Sequence, residues 1–225
     1  MAIAFLNSAT QQVPAVAFTA HSGSTDTCLV VAAFAGGGAG ATITGVTYNS
    51  VALTKLTAIV STSVDADTEL SLWYLVNPAS GSNTLDVTRS GGTFSRVSPM
   101  SFSGVKQTSP LNTGNFATEE DTSASANDLA ITTSTANSRL VGGLITPSNP
   151  PTADSNTVIP GAGNYYQMYG SANTTSAGSY ALGYTNSTTG ALIVAEMFVA
   201  PVSSISSSIS SSISSSVSTS PSSSI

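Results

Sequence analysis

Apolar residues in this chain gather in short runs rich in Val, Ile, Thr and aromatics, divided by Gly, Asn, Ser and Pro. Nowhere do they hold a helical period of about 3.6 residues. A chain so punctuated offers no apolar stripe for a helix to bury, so it must build sheets. The runs predict strands near residues 13–19, 27–35, 41–48, 51–60, 68–76, 83–88, 93–105, 128–134, 138–146, 164–171, 178–185 and 190–200. In VTYNSVALT the pair Asn49 and Ser50 separates two alternating runs, and Asn tolerates the positive φ of a two-residue hairpin. NPASGSN over 77–83 punctuates another connection. GGGAG over 36–40 lacks the GK[ST] ending of a phosphate loop and reads as a strand connection.

About a dozen strands in this length predict one all-β domain over residues 1–200: a two-sheet antiparallel β-sandwich, jelly-roll or immunoglobulin-like. Charged residues make up only 7% of the chain, against about 25% in ordinary proteins, so Ser, Thr, Asn and Gly form its polar surface. Such a surface does little to keep copies apart and suits a repeated structural unit or extracellular module. The net charge is −6, and the five basic residues Lys55, Arg89, Arg96, Lys106 and Arg139 are scattered, which argues against nucleic-acid binding. The longest apolar run, GALIVAEMFVAPV, is broken by Glu196 and too short to span a bilayer, so no membrane partner is expected. The amino terminus, MAIAFLNSATQQ, has no basic region, long apolar core or small-residue cleavage site, so no export signal is expected. Cys28 stands alone in TCLVVAAFA and reads as a small buried hydrophobe.

Beyond Ala200 the composition changes. Pro201, Ile205, Ile209, Ile213, Val217, Pro221 and Ile225 recur every fourth residue in a run of serine, defining a 201–225 tail. A helix turns about 100° per residue, so these positions would wind around it, whereas an extended chain puts every Ile on one face about 13 Å apart. Fixing four backbones costs about 4–8 kcal/mol, while burying one Ile returns about 1.5–3 kcal/mol. The tail is therefore a serine-rich linker, or it orders only against other chains or in a neighbour's groove. The second reading makes Ile205, Ile209, Ile213, Val217 and Ile225 an assembly interface and the protein a homo-oligomer, with three chains about an axis as one arrangement.

The succession CLVVAAFAGG, ITGVTYNSVALTKL, ELSLWYLVNPASGSNTLDVT and SPMSFSGVKQTSPLNT resembles a β-sandwich module of secreted bacterial proteins and of tailed-phage virion proteins. The resemblance runs over residues 18–200 and rests on turns and core strands, so it implies a fold and no catalytic residue. Within the chain, CLVVAAFAGG echoes RLVGGLITPS, and the WYL strand echoes GALIVAEMFVA, a pseudo-repeat expected inside one sandwich.

Candidate chemistry is sparse. His21, with Asp26 nearby, is the one histidine a serine triad could use, yet no G-x-S-x-G elbow occurs. Asp65, Asp67 and Glu69 alternate, so an extended chain would aim all three at one calcium ion, and Glu119, Glu120 and Asp121 form a second acidic cluster. Both read more simply as solvated strand ends, and no cofactor is expected. Tyr165 and Tyr169 in GNYYQMYGS fall on one face of a strand and Tyr166 on the other, a candidate glycan contact if exposed. Trp73 and Tyr74 read as core and flank. The expected function is a non-enzymatic structural protein on the virion surface of a tailed phage, a head-decoration or fibre component working with other virion proteins. The alternative is an extracellular bacterial surface module, either a filament subunit or a carbohydrate-binding domain.

Overall fold

The computed structural model describes residues 2–9, 13–64, 67–121, 127–146, 151–160, 165–185 and 189–201. The first half holds β1 (Ala4–Ser8), β2 (Val16–Thr19), β3 (Cys28–Gly36), β4 (Thr42–Tyr48), β5 (Val51–Ala52), β6 (Thr54–Ser61), β7 (Thr68–Val76), β8 (Ser82–Ser90) and β9 (Phe94–Ser103). The second holds β10 (Leu111–Asp121), β11 (Asn127–Thr133), β12 (Arg139–Ile145), β13 (Thr152–Ala153), β14 (Thr157–Val158), β15 (Tyr165–Gly170), β16 (Gly178–Thr185) and β17 (Gly190–Met197). The structure is all-β, and every strand pair is antiparallel.

The strands form four sheets, not the two expected from the sequence. Their orders are β1-β9-β3-β7-β6 and β2-β8-β4-β5 in the first half, then β10-β17-β12-β15-β14 and β11-β16-β13 in the second. Each half nests its pairs: β1 with β9, β2 with β8 and β3 with β7, then β10 with β17, β11 with β16 and β12 with β15. The echo between CLVVAAFA and RLVGGLI is thus structural, since β3 and β12 are the middle strands of the two five-stranded sheets.

Those two sheets face each other, and each carries a smaller sheet on its outer side. One face of β3 puts Cys28, Val30, Ala32 and Phe34 into a cluster with Val141, Ile145, Tyr165, Tyr169 and Ile193 of the second half. Its other face puts Leu29, Val31, Ala33 and Ala35 against Ile43, Val46, Tyr48 and Leu85 of the outer sheet. Leu140, Leu144, Leu192 and Val194 likewise leave the second half's inner sheet to meet Leu129, Ile131, Leu182 and Tyr184. Every residue of β3, β12 and β17 is therefore buried. A strand covered on both faces must read as a continuous apolar run, while outer strands such as TITGVTY alternate.

The seam between halves is close-packed. A Cβ on Gly143 would stand 2.8 Å from Leu70 Cδ1 and 3.0 Å from Ala32 Cβ, so only glycine lets the inner sheets approach there. Phe5 stacks on Tyr169 with ring centroids 4.7 Å apart, and Phe34 meets Tyr165 at 5.1 Å. Asn49 and Ser50 both adopt positive φ, at 51° and 63°, as the hairpin between β4 and β5 requires. After β17 the chain returns to the connection between halves: Val199 bridges Val105, and Ala200 N–H donates to the Gly104 carbonyl at 2.8 Å. The tail's root is pinned at this connection. Ile205, Ile209, Ile213, Val217 and Ile225, the expected assembly interface, lie outside the described residues.

Candidate functional site

Polar groups buried in a sheet protein must find partners, and here those partners account for most of the candidate chemistry. Glu69 on β7 is buried and accepts from Lys55 Nζ at 2.9 Å and from the Ile43 N–H at 3.3 Å. Asp67 sits in a turn with φ of 64°, so the chain is not extended between it and Glu69. The common face expected for a calcium ion is lost at that turn, and Asp65 lies outside the described residues. Among the described residues no three metal-ligating side chains cluster.

Glu120 in the second acidic run crosses between halves. Its Oε1 accepts from the Thr62 and Ser63 N–H groups at 2.5 and 3.0 Å and from their hydroxyls. Partial burial opposes its charge, but these donors outweigh it and hold the carboxyl below the usual glutamate range. Glu196, whose place inside the apolar run GALIVAEMFVA carries the signal, is fully buried. It accepts from Asn112 Nδ2 at 3.1 Å, the Ser134 N–H at 3.0 Å and the Thr135 N–H at 3.2 Å. Desolvation again pushes its pKa up, and the Asn112 and Ser134 donors more than reverse this. It locks the turn after β11 to β10 and β17. A carboxylate in a buried strand has to be met by donors, so this role was readable in principle.

Arg139 is the corresponding cation. Its guanidinium donates to the carbonyls of Gly170 at 2.9 Å, Ile3 at 3.1 Å and Ser171 at 3.2 Å, and lies 5.1 Å from the Tyr169 ring. It ties the amino-terminal segment to the second half.

Tyr165 and Tyr169 do share a face, as alternation requires, but that face is the seam. They are 6% and 7% exposed, which corrects the glycan-contact expectation: neither ring can stack on a sugar. Tyr166 points into the other cluster. Trp73 is buried and Tyr74 half-buried. His21 Nε2 meets the Pro78 carbonyl at 2.8 Å and Nδ1 receives the Gly23 N–H at 3.2 Å, so backbone groups use both ring nitrogens. Burial pushes the Cys28 thiol up to about 12, leaving it protonated and inert.

A groove on the second half's outer sheet was missed altogether. β13 covers β16 only at Tyr184 and Thr185. Gly183 then turns its groups to that same side, where its carbonyl accepts from the Asp154 N–H at 3.3 Å and its N–H donates to Thr157 Oγ1 at 2.9 Å. Lateral backbone direction alternates along a strand, so Ala181 and Ser179 point that way too. Among the described residues nothing pairs with them there. Against this edge lies a hollow of about 170 Å³ lined by Tyr180, Ala181 and Leu182 of β16, by Leu140 and by the 170–174 loop. β16 is visible in the sequence as the predicted strand over 178–185, but β13 has only two residues and leaves no pattern to read, so the edge beside it could not be foreseen.

Searches of family models, of curated proteins and of solved structures find no match to this chain.

Proposed function

We propose that this protein is a non-enzymatic structural subunit of a tailed-phage virion, a head-decoration or fibre component that assembles through its Ser/Ile tail. Each half reads as a jelly-roll β-sandwich, in which nested pairing of first with last strand, second with next-to-last and so on wraps one chain into two sheets. Jelly rolls serve in viral shells and in lectins, and with Tyr165 and Tyr169 buried this one favours the first use. The observation that carries the reading is the fusion of two unlike parts. A block in which Glu69, Glu120, Glu196 and Arg139 serve internal locks is joined to a repeat that cannot order alone. An extracellular bacterial filament subunit would use the same parts, and genes for capsid, portal or tail proteins beside its own would separate the two.

Sedimentation of the full chain against the I205S/I209S/I213S/V217S/I225S variant tests assembly. The wild type is expected as an oligomer and the variant as a monomer with unchanged melting. Equal assembly of both would reduce the tail to a spacer.

A further inference from the structure

We infer that the open edge of β16 is the acceptor for the Ser/Ile tail of a second copy, which adds there as a strand and sets an Ile side chain in the adjoining hollow. This rests on the assembly reading above and names its receiving site. Three features of the groove match the tail. Ala181 and Ser179 offer backbone groups to an incoming strand, and strand addition satisfies the backbone that a serine-rich segment cannot satisfy alone. The hollow of about 170 Å³ is close to the size of a cavity that takes one benzene, and so has room for one branched aliphatic side chain. Ala172, Tyr180 and Ala181, each at least partly exposed, supply the apolar surface for it, while Leu140 and Leu182 also line it but are themselves buried. Neither partner brings charge to the hollow: among the described residues no acidic or basic one lines it, and none occurs from Pro201 to Ile225. A basic or acidic peptide would find no counter-charge there.

The length of the tail favours a second copy over the chain's own groove. The free edge from Gly178 to Leu182 matches about one four-residue repeat, roughly 13 Å of extended chain. Ile205 to Ile225 spans about 66 Å at the same rise. One groove uses one repeat, and the remainder reaches other molecules, linking copies head to tail.

Complementation between two variants of the full chain tests this. Ala181→Pro removes the N–H that faces the open side and leaves the bonds between β16 and β11 intact, so it blocks the acceptor but keeps the tail. I205S/I209S/I213S/V217S/I225S, the tail variant here, blocks the tail but keeps the acceptor, since any one repeat left apolar could still fill a groove. Ala172→Trp, at an exposed position in the groove wall, serves as a second acceptor block that does not touch the strand. By sedimentation at equal concentration the wild type is expected to associate and each variant to run as a monomer. An equimolar mixture of A181P, or of A172W, with the tail variant should restore a one-to-one dimer. If both acceptor variants assemble like the wild type while the tail variant does not, the groove assignment is overturned and the assembly reading stands. A mixture that stays monomeric overturns transfer between copies. Assembly by the tail variant, or a monomeric wild type, overturns the assembly reading and this inference with it.

Discussion

Among the described residues each half buries one carboxylate, and the two are neutralised differently. Glu69 in the first half is met by a cation, Lys55, whose side chain is 32% exposed. Glu196 in the second half is held by the neutral donors Asn112, Ser134 and Thr135, while the buried cation Arg139 is held by carbonyls and aromatic rings. The same strand order therefore tolerates two ways of burying charge. The ion pair can relax toward water, but the separate ion sites have partners fixed in turns and strands. Removing one member in the second half should leave its former partners stranded.

The largest expected effect is at Arg139. Arg139→Met keeps the apolar stem and strands the Gly170, Ile3 and Ser171 carbonyls, and chemical denaturation should show a loss of about 3 kcal/mol. A loss below about 1 kcal/mol would mean that water replaces the guanidinium and that the site is not closed.

Glu196→Gln should cost about 1–3 kcal/mol, because an amide NH₂ then faces N–H donors of the 134–135 turn. Glu69→Gln should cost about 1 kcal/mol or less, since Lys55 can turn to solvent. Equal losses would erase the contrast between the halves.

Acid titration sharpens the same point. Glu196 and Glu120 have depressed folded-state pKa values, so their contribution is complete above the ordinary glutamate range. It is lost as pH falls through and below that range. Melting temperature followed into acid should fall for the wild type and fall less steeply for E196Q. Identical slopes would remove Glu196 as the cause.

The smallest effect is at the first half's hairpin. Ser50→Gly relieves a left-handed residue by about 1 kcal/mol, partly offset by glycine's freedom in the unfolded chain, so a slight rise in melting temperature is expected. A fall would mean that Ser50 holds the turn by its side chain.

Much of this architecture could be read from residues. The predicted strands coincide with most of the long ones, and the Asn49–Ser50 turn and the alternation of Tyr165, Tyr166 and Tyr169 hold because each depends on local geometry. β10, in LNTGNFATEED, escaped because an edge strand facing solvent needs few apolar residues. The four layers go beyond the two-sheet expectation, although CLVVAAFAG, RLVGGLI and GALIVAEM carry their signal. A strand inside a two-sheet sandwich has one face free to be polar, and these have none, which is the signature of sheets covered on both sides. For the same reason Tyr165 and Tyr169 looked available for a ligand: their common face is visible in the sequence, but what packs on it is not.

The central structural claim is that the two halves share one core through the Tyr165 and Tyr169 face, so that neither is complete alone. Differential scanning calorimetry of the full chain at neutral pH tests it most directly. One transition, with calorimetric and van't Hoff enthalpies equal, is predicted. Two separable transitions, each with about half the enthalpy, would show two independent sandwiches and contradict it.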